Sequence, residues 1–152
     1  MSKTVQKTLP RHFNPVKAKL AYMDECFSQL HSGLPADKDV YVEADKLTHS
    51  YIKSCFLMIV QRAVDINNAI IEFSVQTPPY QKHQGFRAVQ ESGAIDVETL
   101  DFFEHAIACY QKISNPYEGL SPAELYDVSS QLLYHGKSYT RQINAFFEDT
   151  EL

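Results

Sequence analysis

Apolar side chains recur along this chain at steps of three and four residues, and no segment sustains steps of two. From Pro15 onward, Val16, Leu20, Met23, Phe27 and Leu30 form one such stripe, which predicts a helix closed by the Ser32-Gly33 turn and Pro35. Residues 39 to 75 contain neither proline nor glycine. Leu47, Tyr51, Phe56, Ile59, Ala63, Ile66, Ile70 and Phe73 supply a core-facing stripe there. This predicts a long second helix, with a break near Glu43, ending at Thr77-Pro78-Pro79.

A shorter amphipathic segment from Tyr80 to about Glu91 carries Phe86 and Val89 and closes at Ser92-Gly93, where glycine suits a left-handed cap. Asp96 reads as the N-cap of the next helix, with Glu98 in its first turn. Leu100, Phe103, Ala106, Ile107, Tyr110 and Ile113 form the stripe of that helix. It must stop near Asn115, because Pro116 disfavours helical angles in the residue before it. Ser121-Pro122-Ala123-Glu124 is a capping box with proline at the first helical position. Leu125, Val128, Leu132 and Leu133 follow on one face; a bend or split is expected at Gly136, before Ile143, Phe146 and Phe147. The pattern predicts an all-α fold of five helices packed antiparallel, with essentially no sheet.

A chain of 152 residues suits a single core. The expected layout is a loose N-terminal arm over 1–12 and one helical domain over 13–152. The net charge of −5 repels phosphate backbones, so the sequence offers no electrostatic footprint for DNA and none for non-specific RNA binding. The longest apolar run, Cys55 to Val60, falls short of the roughly 20 residues of a membrane span, and the polar, basic N-terminus lacks an apolar segment. A cytoplasmic protein is expected. Cys26, Cys55 and Cys109 are too far apart for a Cys-x-x-Cys metal site and odd in number for a disulfide framework, so they read as small core residues.

Candidate chemistry is sparse. There is no glycine-rich phosphate loop, no His-Glu-x-x-His pair and no Gly-x-Ser-x-Gly elbow, and no metal or cofactor is called for. His49, His83 and His135 fall on predicted helices without partners at metal spacing, and His12 and His31 lie in terminal or loop segments. His105, Cys109 and Lys112 stand at i, i+4 and i+7, which puts an imidazole, a thiol and an ammonium on one helical face. A base and a cation so placed could serve a phosphodiester; equally, the face could be a solvated one with Cys109 turned to the core. Asp101 with Glu104, and Asp96 with Glu98, read as helix-start and surface acids.

A run of features in order carries a resemblance. Cys55 to Glu72, with Gln61 and Asp65, is followed by Thr77-Pro78-Pro79-Tyr80, then Phe86-Arg87-Ala88-Val89, then Glu91-Ser92-Gly93-Ala94-Ile95-Asp96. From Tyr51 onward the chain resembles the HepT-like branch of the HEPN superfamily, all-helical proteins that work with a minimal nucleotidyltransferase in toxin–antitoxin modules. In active members the helix before the last carries an arginine-asparagine pair and, shortly after, a His-x-Tyr triplet. The imidazole takes the 2′-hydroxyl proton of RNA and the guanidinium neutralises charge at phosphorus, without a metal.

Here the corresponding stretch is Gln111-Lys112, then Asn115-Pro116-Tyr117. Gln111 carries no charge, Asn115 accepts no proton at neutral pH, and Lys112 lies about 100° round the helix with an ammonium in place of a fork. The resemblance therefore implies a homodimer with this motif near the two-fold axis. Its ribonuclease activity would be lost or severely weakened, and its role would be binding a nucleotidyltransferase. It also implies that Tyr117 is a possible acceptor of AMP groups, and that Phe102 or Phe103 would be covered at the dimer contact. The alternative is an active ribonuclease toxin with His105 as base and Lys112 as phosphate clamp; only this reading involves RNA.

Overall fold

The computed structural model describes the backbone of residues 3–74 and 82–151, and the side chains of 15–72 and 84–148. Among the described residues the elements are α1 (Lys3–Gly33), α2 (Lys38–Val42), α3 (Lys46–Ser74), α4 (Lys82–Glu91), α5 (Val97–Ser114) and α6 (Pro122–Glu151), with no strand. The all-α expectation holds. The α1 backbone starts at Lys3, within the segment expected as an arm. The side chains of His12, Phe73 and His83, the Thr77-Pro78-Pro79 break and Tyr80 lie outside the described residues.

Six helices replace the expected five, because the break near Glu43 is a full interruption. Asp37 caps α2 by accepting the Asp39 N–H at 2.8 Å, and Asp45 accepts the Thr48 N–H at 2.8 Å as α3 begins. Two short acceptor side chains thus start separate helices on either side of the gap. The bonds from Thr48 also hold the Asp45 carboxyl below its ordinary range. Fastened to α6, α2 forms a clasp: Lys38 pairs with Asp127 at 2.8 Å, and the Tyr126 hydroxyl donates to the Pro35 and Ala36 carbonyls at 2.9 Å each. Tyr41 is its buried anchor. Its ring lies 4.9 Å from that of His49, and burial pushes its phenol up to about 12.

The core is laid around α3. Val16, Leu20, Met23, Phe27 and Leu30 of α1 are all buried, as the stripe predicts, against Ile52, Phe56, Ile59, Ala63, Ile66 and Ile70. Leu47 and Tyr51 are corrections to the predicted stripe, at 80% and 46% exposed. Ile52, not Tyr51, enters the core, and a phase change of one residue, about 100°, carries 47 and 51 to the outer side. Lys46–Glu72 is long and apolar enough to cross a membrane by length and composition, but 56% of that window is buried inside the bundle. Between α3 and α6 the Tyr139 hydroxyl donates to Asn67 Oδ1 at 2.6 Å, and Phe86 stacks on Phe103 at 4.6 Å.

Gly136 does not bend α6, which is one continuous helix. A Cβ there would meet Phe27 Cε1 and Cζ at 2.5 Å, so the missing side chain serves the close approach of α1. Gly93, at φ +90°, is the expected left-handed residue after α4. Asp96 caps α5 by accepting the Thr99 N–H at 2.9 Å, and its own N–H donates to Gln142 Oε1 at 2.7 Å. Gln142 Nε2 donates in turn to Thr99 Oγ1 at 2.9 Å, tying the start of α5 to α6. The capping box of α6 forms in both directions: Glu124 N–H donates to Ser121 Oγ at 3.1 Å and Ser121 N–H to Glu124 Oε1 at 3.2 Å.

Candidate functional site: the carboxyl end of α5

The apolar stripe of α5 buries Leu100, Phe102, Phe103, Ala106, Ile107 and Cys109, and the last turn then runs out of core. Gln111, Lys112 and Ser114 are exposed. Pro116 stops the helix as expected. Asn115 completes the stop by turning its side chain back, so that Oδ1 accepts the Tyr117 N–H at 2.9 Å while its own N–H donates to the Gln111 and Lys112 carbonyls. The amide expected in a catalytic position is therefore engaged in shaping the turn. Tyr117, presented by that turn, is 95% exposed.

Beside the turn lies an open groove of about 490 Å³ lined by Tyr110, Gln111, Ser114 and Asn115. The sequence assigned Tyr110 to the core stripe. It packs there half-buried, and its hydroxyl donates to Gln61 Oε1 at 3.3 Å. Gln61 Nε2 donates to Asp65 Oδ1 at 3.1 Å, and Arg62 Nη1 reaches Asp65 Oδ2 at 3.1 Å. The Arg62 guanidinium lies over the Tyr22 ring, 5.0 Å from its centroid. A polar belt thus crosses from α5 over α3 to α1. Gln61 and Asp65 at i and i+4 were the only sign of it in the sequence; the bond from Tyr110 to Gln61 and the seat of Arg62 over Tyr22 were not legible, because each joins two helices.

The predicted stripe of His105, Cys109 and Lys112 is divided by burial. His105 and Lys112 face solvent, while Cys109 is buried with its sulfur 3.8 Å from His105 Nε2. Burial pushes the Cys109 thiol up; the Lys112 ammonium pulls against this and the Glu124 carboxylate adds to it. A thiol kept protonated is a poor nucleophile and a poor metal ligand. His105 and Lys112 are seven residues apart, about 10 Å along the axis. Base and clamp therefore stand on different turns.

Phe102 and Phe103, expected under a dimer contact, are buried within the chain itself: Phe102 stacks on His135 at 4.5 Å and Phe103 on Phe86. Cys26 and Cys55 are buried as well, as expected. Among the described residues no group of three or more His, Cys, Asp or Glu side chains is placed to hold a metal ion. Compared with family profiles and with curated proteins, the chain finds no match in either.

Proposed function

We propose that this is a diverged HepT-like protein of the HEPN type, a non-catalytic binding partner of a minimal nucleotidyltransferase in a toxin–antitoxin-type module of the cytoplasm. The observation that carries the reading is the build of the α5 end. Gln111 and Lys112 stand exposed beside an open groove, Asn115 is committed to the turn, and that turn holds Tyr117 out in solvent. A tyrosine with an uncovered hydroxyl on a fixed turn is a recognition element and an accessible acceptor for an adenylyl group. The residues around it offer no base and guanidinium on one phosphodiester. In this reading the protein is a homodimer with the α5 end near its two-fold axis.

Two experiments test it. Co-expression with the nucleotidyltransferase encoded by the neighbouring gene should give a stable complex that Tyr117→Ala weakens, and mass spectrometry should find any adenylylation at Tyr117. Purified protein should leave RNA uncut. Cleavage abolished by His105→Ala or Lys112→Ala would replace this reading with that of a ribonuclease using the displaced pair.

A further inference from the structure

On α1, Tyr22, Cys26, Gln29 and Gly33 follow one another at helical steps of four and three, and on α3 so do Tyr51, Cys55 and Met58. Each set lies along one line of its helix. The two lines run antiparallel and meet. The Tyr22 hydroxyl reaches Met58 Sδ at 3.5 Å, the Tyr51 hydroxyl reaches the Gln29 carbonyl at 3.5 Å, and a Cβ on Gly33 would strike the Tyr51 ring at 2.6 Å. Cys26 stands between Tyr22 and Gln29, and Cys55 between Tyr51 and Met58, so these contacts bracket the two cysteines and set them at one level. Both belong to the core, Cys26 at 2% and Cys55 at 5% exposed. Helices packed with axes roughly 8–10 Å apart, each carrying its Cα atoms at a radius of about 2.3 Å, bring facing Cα atoms into the range of about 4.4–6.8 Å that a disulfide spans.

The surroundings distinguish the two thiols from each other and from the third. Burial raises both above their ordinary value; Arg62 pulls Cys26 down while Cys55 and Glu25 push it up, and a hydrogen bond from the Tyr51 hydroxyl lowers Cys55. Both are protonated at rest, which makes their oxidation slow. Cys55 is the easier to reach, since its cover is Tyr51, a side chain 46% exposed. Cys109, buried on α5, has His105, Lys112 and Glu124 as its polar neighbours in place of a thiol.

We propose that Cys26 and Cys55 form a redox pair that a hydroperoxide converts into a disulfide joining α1 to α3. The Cys55 thiol gives up its proton and its sulfur attacks one peroxide oxygen; the O–O bond breaks, and the departing hydroxide takes that proton and leaves as water. Cys26, deprotonated in turn, attacks the resulting sulfenic sulfur. The S–S bond forms, the S–O bond breaks, and the second hydroxide takes the Cys26 proton. Two thiols and one hydrogen peroxide thus give one disulfide and two waters. The loop so closed holds α2 and its clasp on α6, so oxidation stiffens that corner of the bundle. Transient disulfides that respond to oxidant are the kind found in reducing compartments.

The test treats the reduced, folded full chain with hydrogen peroxide, quenches with catalase, then denatures and alkylates. Intact mass should show the loss of two hydrogens and the blocking of Cys109 alone, and peptide mapping should find Cys26 linked to Cys55. The oxidised protein should unfold at higher urea concentration, and dithiothreitol should return it to the reduced midpoint. Cys109→Ala should leave the linkage intact. In Cys26→Ala, dimedone should trap a sulfenic acid at Cys55. The linked peptide is read in the wild type, so it does not depend on any variant folding. Three free thiols after peroxide, a linkage through Cys109, bonds only between copies, or a Cys26–Cys55 bond that forms only in unfolded protein would each overturn the proposal.

Discussion

At its amino end α5 is locked: Asp96 caps it, Gln142 grips both the Asp96 N–H and the Thr99 hydroxyl, and Ala94 and Ile95 just before it are buried. At its carboxyl end the same helix is stopped by a side-chain bond within its own turn, Asn115 to Tyr117, amid the exposed Gln111, Lys112 and Ser114, and Tyr110 one turn earlier makes its tie to α3 through Gln61. The contrast shows where stability is concentrated and where it is spared. The first half of α5 supplies Phe103 to the core; the last turn contributes little burial and is left to present side chains.

The most direct way to break this asymmetry is Phe103→Ala, which removes a fully buried ring stacked on Phe86. It should cost about 3–5 kcal/mol in chemical denaturation. Asp96→Ala comes next, removing a cap and loosening the grip of α6, with an expected loss of about 1 kcal/mol.

Acid titration sharpens the same comparison. Hydrogen bonds from Thr99 hold the Asp96 carboxyl below its ordinary value of 3.8. A carboxyl depressed on folding stabilises fully above its unfolded value and loses that contribution as pH falls through the folded one. The contribution of Asp96 to stability should therefore be constant from neutrality to about pH 4 and decline below it. Asp96→Ala should make the acid loss of stability shallower without abolishing it, since bonds from Ser121 also lower Glu124. The smallest effect belongs to the far end. Tyr117→Ala should change stability by less than about 0.5 kcal/mol while weakening the nucleotidyltransferase complex, whereas equal losses at both ends of α5 would erase the contrast.

The parts of the fold legible in the sequence are those governed by neighbours along the chain. The α1 stripe, the Asp96 cap, the left-handed Gly93 and the reciprocal Ser121–Glu124 box each depend on a few consecutive residues and a fixed helical period, and each is where the pattern puts it. What the pattern missed depends on how one helix is rotated against another. Leu47 and Tyr51 fit the period of α3 but not the phase that its packing selects. Tyr110 keeps its place against the core, but the acceptor that its hydroxyl finds on Gln61 of α3 is set by the neighbouring helix and not by the α5 period. At the candidate site the residue types were readable, and the engagement of Asn115 by Tyr117 was not, since proline and asparagine together permit several turns.

Gly136 has a consequence for the order in which the chain assembles. The joint it forms with Phe27 brings together the first helix and the last, so it belongs to contacts of long sequence separation that form only after the intervening chain has been drawn in. Conversion of Gly136 to alanine should thus act mainly on the rate of unfolding, leaving the rate of folding nearly unchanged, as for a keystone set after the arch is standing.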